Sequence, residues 1–334
     1  MSTGHPYHSL LLPRNALFEL KPSPGKGWGA FATKHIKRGS LILREKALFF
    51  IPESHVDIME CNIFTAFMQL SPSQKEQVLL LRDNGSEKFQ SFVDILSENS
   101  FAVGAEYPGR GLFTIGSRFN HSCLPNARAP ITPGPFIEFY AIKDIEAGEE
   151  IYFCYNAELK AKTKDERREA LGFTCDCKAC VPGTPFQELS DLRRRLIRGI
   201  LYIIRGVDLD GRMQSSRSPV IVNPELKAAA EKHNIPLSSK LVLRLLSIVL
   251  LEEEGLLDDW AVEIVETSMV EPVALFKSEE NQRISQAALA QDTWLKKFQG
   301  MLQLYGREDP ADLFVRMLQR PGQVYGGGAM SLWP

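Results

Sequence analysis

The stretch Arg118-Phe119-Asn120-His121-Ser122-Cys123-Leu124-Pro125-Asn126 decides how this sequence is interpreted. Its Asn and Ser side chains hydrogen-bond readily to nearby backbone, so the stretch predicts an unusual loop rather than a regular element. Taken alone, the stretch is equally compatible with an ordinary Asx-rich turn. Its meaning therefore depends on the segments on either side of it.

Three other short segments accompany this loop. They are Gly25-Lys26-Gly27-Trp28-Gly29, the run from Gly148 to Asn156, and Gly172-Phe173-Thr174. The glycines of the first segment let a ligand approach the backbone closely and leave amides that could hold a carboxylate. Their spacing is not a dinucleotide-binding fingerprint, since no βαβ unit surrounds them.

The alternation of apolar and polar residues divides the N-terminal half into β-type and helical segments. Short β-type runs separated by Gly, Pro and Lys turns fill residues 17–54 and return in residues 98–158. Residues 55–97 show helical spacing instead, so a helical insert is predicted to split the β core. The predicted strands are Leu17–Leu20, Gly29–Ala32, Leu41–Ile51, Gly111–Ile115, Phe136–Ile142 and Glu150–Tyr155.

The C-terminal half is predicted to be mostly helical. The helical stretches are Glu188–Ile204, Glu225–His233, Ser238–Glu254 and Asp258–Leu304, with a polar loop from Gly206 to Pro224 and a Gly-rich tail from Pro321 to Pro334. Within the third stretch, the run Glu252–Glu254 is expected to be a solvated helix face.

The composition is that of an ordinary soluble protein. Of 334 residues, 44% are hydrophobic and 24% are charged, which is enough for a sizeable core in one large or two medium domains. The formal net charge of −2 gives no general attraction to nucleic acid. The most apolar later stretch, Leu241–Leu251, is far shorter than the ~20 residues of a membrane span. We therefore expect neither nucleic-acid binding nor membrane association, and the first 15 residues do not resemble a signal peptide.

Three of the six cysteines crowd into the pattern Cys175-x-Cys177-x-x-Cys180. Six cysteines are too few for a disulfide scaffold in a chain of this length, so the crowding predicts a metal site in a reducing compartment, the cytosol or the nucleus. The alternative is a set of solvent-facing thiols in a linker, which would be an oxidation hazard.

A closed structural zinc site needs a fourth ligand besides these three thiolates. The candidates are Cys61, Cys123, Cys154 and His121. Cys123 is favoured because it lies in a turn, where a side chain can be presented outward, whereas Cys154 lies inside a predicted strand. The predicted metal ligands are therefore Cys123, Cys175, Cys177 and Cys180.

The patterns GxGWG, RFNHSCxPN, GEEIxxxY and FxCxCxxC occur in this order around an interrupted β core. Together they resemble a SET domain with its post-SET zinc flap, over about Leu17 to Val181. The segment Asn99-Ser100-Phe101 ahead of Gly111-Leu112-Phe113, and Cys154 just before Tyr155, resemble the SMYD branch and its fungal relatives. Too few cysteines lie between Ser54 and Asn99 for the MYND zinc module of that branch.

The resemblance implies an α+β fold, a SET-type β-clip of small sheets with a helical insert, a post-SET zinc flap and an α-helical C-terminal domain. The implied parts are an N-terminal extension 1–16, a SET core 17–54 and 98–158, an insert 55–97, a post-SET zinc segment 159–184 and a helical domain 185–334.

The resemblance also implies a binding site for S-adenosyl-L-methionine. The implied cofactor-binding residues are Lys26, Gly27, Trp28, Asn99, Asn120, His121, Tyr155 and Phe173. Tyr155 matches the active-site tyrosine, and Phe153 matches the position that shapes how many methyl groups fit. Without the resemblance, Tyr155 would be an ordinary packed strand tyrosine, and no acid or base role is assigned to Glu149 or Glu150.

The function implied is protein-lysine N-methyltransferase activity on a histone or another protein, with structural Zn²⁺. Two alternatives stay open, because fold does not fix function. One is a SET-like scaffold that binds partners without catalysis, and the other is an enzyme acting on a small molecule. The substrate, the degree of methylation and the oligomeric state do not follow from the sequence.

Overall fold

The computed structural model describes residues 4–52, 58–83, 85–103, 109–130, 132, 134–205, 224–232 and 240–256, and six single positions between 283 and 298. The chain divides into two compact units. The first unit comprises Met1–His121 and Pro125–Phe153, and the second comprises Ser122–Leu124 and Cys154–Pro334.

The described part of the first unit contains ten short strands. They are β1 (Phe18–Ser23), β2 (Gly27–Ala32), β3 (Leu41–Lys46), β4 (Phe50–Ile51), β5 (Ser100–Val103), β6 (Gly109–Leu112), β7 (Asn120–His121), β8 (Ala127–Arg128), β9 (Phe136–Ala141) and β10 (Tyr152–Phe153). Strands β1 and β2 form an antiparallel hairpin, and two three-stranded antiparallel sheets have the orders β3-β9-β8 and β4-β6-β5. Strands β7 and β10 pair in parallel.

An aromatic cluster lies in the core of the first unit. Strand β9 alternates half-buried and buried residues, which is the pattern of a strand with one face on the core. Its Phe139 ring stacks on Phe119 at 4.3 Å and meets Phe153 edge-on at 5.1 Å. Phe18 packs on the far side of the cluster, 5.0 Å from Phe119. The segments on both sides of the insert therefore share one core.

The predicted helical insert consists of three α-helices. They are α1 (Glu60–Met68), α2 (Pro72–Leu79) and α3 (Phe92–Asn99). Ser71 begins α2 by accepting a hydrogen bond from the Gln74 amide at 3.3 Å. The Glu60 carboxylate accepts the amides of Phe92 and Val93 at 2.8 and 2.9 Å, which satisfies free N–H groups at the start of α3. Side-chain capping thus fixes where two of these helices start.

The second unit contains four α-helices among its described residues. They are α4 (Lys164–Leu171), α5 (Pro185–Arg205), α6 (Pro224–Lys232) and α7 (Lys240–Glu253). Thr163 and Glu166 form a capping box at the start of α4, and Gly172 ends it with a φ of 72°. Helices α5 and α7 pack against each other, and both carry fully buried aliphatic side chains. No described helix combines the length and the apolar character that crossing a membrane requires.

The predicted α+β fold is confirmed, with differences in detail: the single strand predicted over Leu41–Ile51 forms two strands, β3 and β4, and strands β5, β7 and β8 were not predicted. Strand β10 ends at Phe153, so Cys154 and Tyr155 follow the strand rather than lie inside it. Helix α4 was not predicted. Glu254 was expected on a solvated face but is only 2% exposed, because it meets buried arginines of α5. The loop 206–224, the stretch 258–304 and the tail 321–334 lie almost entirely outside the described residues.

Candidate functional site

The turn between β1 and β2 carries the first group of predicted cofactor residues. Gly25 and Gly27 both have a φ of 72°, a left-handed conformation that side-chain-bearing residues rarely adopt. The Lys26 amide closes the turn on the Ser23 carbonyl at 3.0 Å. The Lys26 ammonium lies 5.1 Å from the centre of the Tyr152 ring, within cation–π range. The two glycines therefore fix a backbone shape at this point that few other residues would allow.

Asn120 of β7 is held by the buried carboxylate of Glu150, a residue to which the sequence assigns no acid or base role. Its amide nitrogen donates to Glu150 Oε1 at 2.7 Å and to the Trp28 carbonyl at 3.2 Å. The other carboxylate oxygen of Glu150 accepts from the hydroxyls of Ser23 at 2.8 Å and Tyr152 at 2.5 Å. Since the amide nitrogen of Asn120 is committed to acceptors, its carbonyl oxygen is the end that a ligand donor would meet.

This hydrogen-bond network requires a glycine at position 29. A Cβ at position 29 would lie 2.2 Å from Glu150 Oε1 and 2.9 Å from the Asn120 amide nitrogen. Both distances are shorter than van der Waals contact allows. The last glycine of the GxGWG pattern therefore makes room for the carboxylate that orients Asn120.

Asn99, at the end of α3, is completely buried. Its amide nitrogen donates to the Ile95 carbonyl at 2.8 Å, and its oxygen accepts from the Arg118 guanidinium. Arg118 also donates to the Tyr7 hydroxyl, and its guanidinium lies 4.7 Å from the centre of the Tyr7 ring. Among the described residues the buried Arg118 Nε has no hydrogen-bond partner. Protein contacts thus hold the Asn99 side chain in place. The donor without a partner among the described residues is Arg118 Nε.

The segment before β1 lies against Trp28. The His5 ring stacks on Trp28 at 4.4 Å, and the Tyr7 and His8 rings meet Trp28 edge-on at 5.8 and 5.0 Å. Burial, and to a lesser extent the positive charge of Arg82, lowers the pKa of His5, so the ring favours its neutral form. The N-terminal extension is therefore packed on a predicted cofactor residue.

The parallel pair of β7 and β10 sets His121 beside Phe153. His121 is 3% exposed and Phe153 is 5% exposed. Asn126 supports this pair, since its side chain accepts from the Tyr152 amide at 2.7 Å and donates to the Glu150 carbonyl at 2.8 Å. The second asparagine of the NHSCxPN pattern therefore bridges the backbone on both sides of residue 151.

In the second unit, Tyr155 and Phe173 are neighbours. Their ring centres are 6.5 Å apart at an angle of 70°, and their side chains are 49% and 44% exposed. Half-exposed aromatic rings that touch each other offer an apolar surface to a ligand or a partner. The structure brings these two predicted site residues together in one aromatic pair.

The four predicted metal ligands also meet in the second unit. The sulfur atoms of Cys123, Cys175, Cys177 and Cys180 all lie within 4.8 Å of one another. The sulfur atoms of Cys180 and Cys123 are 3.6 Å apart, too far for a disulfide. Four thiolates around a tetrahedral zinc ion at 2.3 Å would be about 3.8 Å apart, so the donor set fits that metal. The expectation that a turn presents Cys123 toward the other three cysteines agrees with this geometry.

The cluster cannot carry four negative charges by itself. The hydrogen bond from Cys123 is the main cause that lowers the pKa of Cys180 to about 6, with Arg167 helping. The pKa of Cys123 is raised, first by its hydrogen bond with Cys175 and then by those with the other two thiols. Only part of the cluster ionises on its own, which is the behaviour of a donor set that a divalent cation completes.

The family model of the SET domain matches residues 27–156. Residues 27–156 are a SET domain. The matched range contains the β1-β2 turn from Gly27 onward, the insert, Asn99, the Asn120 loop and Tyr155. The match thus covers most of the small sheets and the helices α1–α3 that interrupt them.

Several curated relatives of the chain are named as lysine methyltransferases. The histone-lysine N-methyltransferase set5 of Schizosaccharomyces pombe is 30% identical over 183 residues, which are 54% of this chain and 55% of that protein. The histone-lysine N-methyltransferase SMYD3 of Homo sapiens is 39% identical over 99 residues, 28% of this chain and 22% of that protein. The protein-lysine N-trimethyltransferase SMYD5 of Gallus gallus is 34% identical over 104 residues, 28% of this chain and 25% of that protein. The chain thus spans about half the length of the first relative and a quarter or less of the other two.

Proposed function

We propose that this protein transfers methyl groups from S-adenosylmethionine to the ε-amine of a lysine in a protein substrate. The observation that carries the proposal is the buried carboxylate of Glu150, which holds Asn120 against the glycine turn of a SET domain. Such a network holds a polar side chain in one orientation, as a ligand-binding site requires. The names of the relatives agree with this chemistry.

The first unit offers the groups that a zwitterionic cofactor needs. The left-handed turn at Gly25 and Gly27 lets a carboxylate approach the backbone closely, and the buried Arg118 Nε is a donor without a partner among the described residues. The Asn120 carbonyl oxygen is available to an amino group. Lys26, Gly27, Trp28, Asn99, Asn120 and His121 are the residues proposed to hold the cofactor there.

When bound, S-adenosylmethionine supplies the methyl group and a cationic sulfonium. The reaction is an in-line displacement, so the protein's task is alignment. A lysine amine with a pKa near 10.4 is almost wholly protonated at neutral pH, and neutralising it costs about 4–5 kcal/mol. We assign Tyr155 to orient the amine and Phe173 to stack on the cofactor's base, while Phe153 limits the space for the methylated nitrogen. Their rings disfavour the charged ammonium by desolvation.

We propose Zn²⁺ as the metal of the four-cysteine cluster, in a structural role. A site with four protein ligands is closed and leaves no position for a substrate. The substrate is proposed to be a protein with an accessible lysine, histone or non-histone, met in the cytosol or the nucleus. Nucleic acid and membranes are not proposed as partners.

The test is direct binding and transfer. Calorimetry of the purified protein should detect S-adenosylmethionine, and a tritiated methyl group should appear on lysine of a protein substrate. Asn120→Ala should weaken cofactor binding at least tenfold, because it removes the amide that Glu150 holds in place. Two results together would favour the non-catalytic scaffold. The protein would bind the cofactor but methylate no protein, and Tyr155→Phe would leave the binding of a protein partner unchanged. Absence of binding would refute the proposal.

A further inference from the structure

Arg167 of α4 is a fully buried cation beside the four-cysteine cluster. One terminal nitrogen of its guanidinium lies 3.4 Å from the Cys180 sulfur and 2.6 Å from the Ala179 carbonyl oxygen. The other donates to the Lys162 carbonyl at 2.7 Å and lies 3.4 Å from Asp191. The guanidinium therefore joins one of the thiols to three backbone or side-chain oxygens.

The cluster needs such a cation once it is filled. Four thiolates around one Zn²⁺ carry a net charge of −2, and three of the four cysteines are buried. A buried charge without a partner is expensive, and a hydrogen bond from a charged donor is the usual compensation. A donor on a ligating sulfur also fixes the direction in which its lone pairs face the metal.

A second arginine shows that the contact with sulfur is specific. Arg194 of α5 is also buried and also approaches the cluster, but it donates to the carbonyl oxygen of Cys123 at 2.8 Å and to the Leu159 carbonyl at 3.1 Å. It thereby fixes the backbone of a ligand residue. Arg167 alone of the two arginines reaches a sulfur atom.

We propose that Arg167 is an outer-sphere residue of the zinc site, which determines how tightly the four cysteines keep the metal. The guanidinium offsets the negative charge of the filled cluster and holds the Cys180 sulfur in a ligating direction. This role concerns the metal and does not depend on the reaction that the SET domain performs. The proposed role of Arg167 does require that zinc is the metal that the four cysteines bind.

The neighbouring arginine provides a matched control. Arg168 lies next to Arg167 on the same helix, and its side chain is exposed. Arg168→Met therefore removes an equal charge from the same helix at an exposed position. Arg167→Met keeps the aliphatic stem of the side chain, and Arg167→Lys keeps the charge without the planar fork whose two terminal nitrogens reach Cys180 and the Lys162 carbonyl.

The experiment measures metal retention in the zinc-loaded full chain. Competition with a chromogenic chelator should give a zinc affinity that is about 10- to 100-fold weaker in Arg167→Met, as is typical when an outer-sphere partner is lost. Arg167→Lys should lie between this variant and the wild type, and Arg168→Met should match the wild type. After replacement of zinc by Co²⁺, the sulfur-to-cobalt absorption bands should shift in Arg167→Met and Arg167→Lys but not in Arg168→Met.

Two results would overturn the proposal. The first is an Arg167→Met protein that unfolds more easily but keeps zinc as tightly as the wild type, which would make Arg167 an anchor of α4 only. If that variant does not fold, Arg167→Lys decides. The second result that would overturn the proposal is an Arg167→Lys protein whose zinc affinity and cobalt spectrum are both unchanged.

Discussion

At the scale of single residues, the site is organised by groups that do not resemble catalytic residues. Glu150 is the clearest case: its carboxylate accepts from three side chains and excludes a side chain at Gly29. Its neighbour Glu149 is exposed, and its carboxylate accepts from the Glu146 amide at 2.8 Å. Two adjacent glutamates of one motif therefore have different roles, which the sequence alone does not separate.

We expect Glu150→Gln to weaken S-adenosylmethionine binding by about tenfold or more. The substitution keeps the shape but replaces a charged acceptor, and hydrogen bonds to charged groups contribute about 1.5–3 kcal/mol each. Calorimetric titration of the cofactor measures the loss, and Glu149→Gln should bind like the wild type. The prediction rests on the proposed role of Asn120. A Glu150→Gln protein with a lower melting temperature but unchanged cofactor affinity would show that Glu150 only stabilises the fold.

At the scale of secondary-structure elements, burial decides what an ion pair contributes. Glu254, directly after α7, meets Arg193 at 3.3 Å and Arg194 at 3.5 Å, and all three side chains are almost fully buried. On α6, Glu231 and Lys227 form an exposed pair at 3.8 Å. Glu231 lies on an exposed face of α6, whereas Glu254 lies beside buried arginines of α5.

We expect Glu254→Gln to lower the free energy of unfolding by about 3–5 kcal/mol, because it removes the carboxylate that two buried guanidinium groups share and leaves Arg193 with Glu253 at 3.6 Å. Glu231→Gln should change it by less than about 1 kcal/mol, since exposed pairs contribute little. Urea denaturation followed by circular dichroism measures both variants. Equal effects of the two substitutions would mean that the buried network is not stabilising.

The contrast between an exposed and a buried glutamate also explains how far the sequence could predict this structure. The alternation of apolar and polar residues and the order of the motifs were enough to predict strands on both sides of the insert. The two-residue period of a strand and the residues of its turns are local signals. The burial of Glu254 depends on arginines about 60 positions earlier in the chain, and no local pattern contains that information. Likewise, the crowding of Cys175, Cys177 and Cys180 predicted a metal site, whereas Arg167 could be placed beside it only by the fold of α4.

At the scale of the whole molecule, one short loop belongs to both units of the chain. Asn120 and His121 end a segment of the first unit, and Ser122–Leu124, with the metal ligand Cys123, belongs to the second. The loop of the proposed cofactor site and the metal ligand are thus separated by a single residue in the chain. A metal that fixes Cys123 also restricts the backbone that leads directly to Asn120.

We therefore expect removal of zinc to abolish cofactor binding before it unfolds the helices of the second unit. Helices α5 and α7 are joined by fully buried aliphatic side chains and by the Glu254 network, none of which contains a metal ligand. The Cys123 loop is instead held by its sulfur and by the Arg194 bond to its carbonyl. Titration with a zinc chelator, followed in parallel by cofactor calorimetry and by helical circular dichroism, separates the two events. If the helical signal and the cofactor affinity fell together at one chelator concentration, the metal would hold the whole second unit together rather than the loop that follows Asn120.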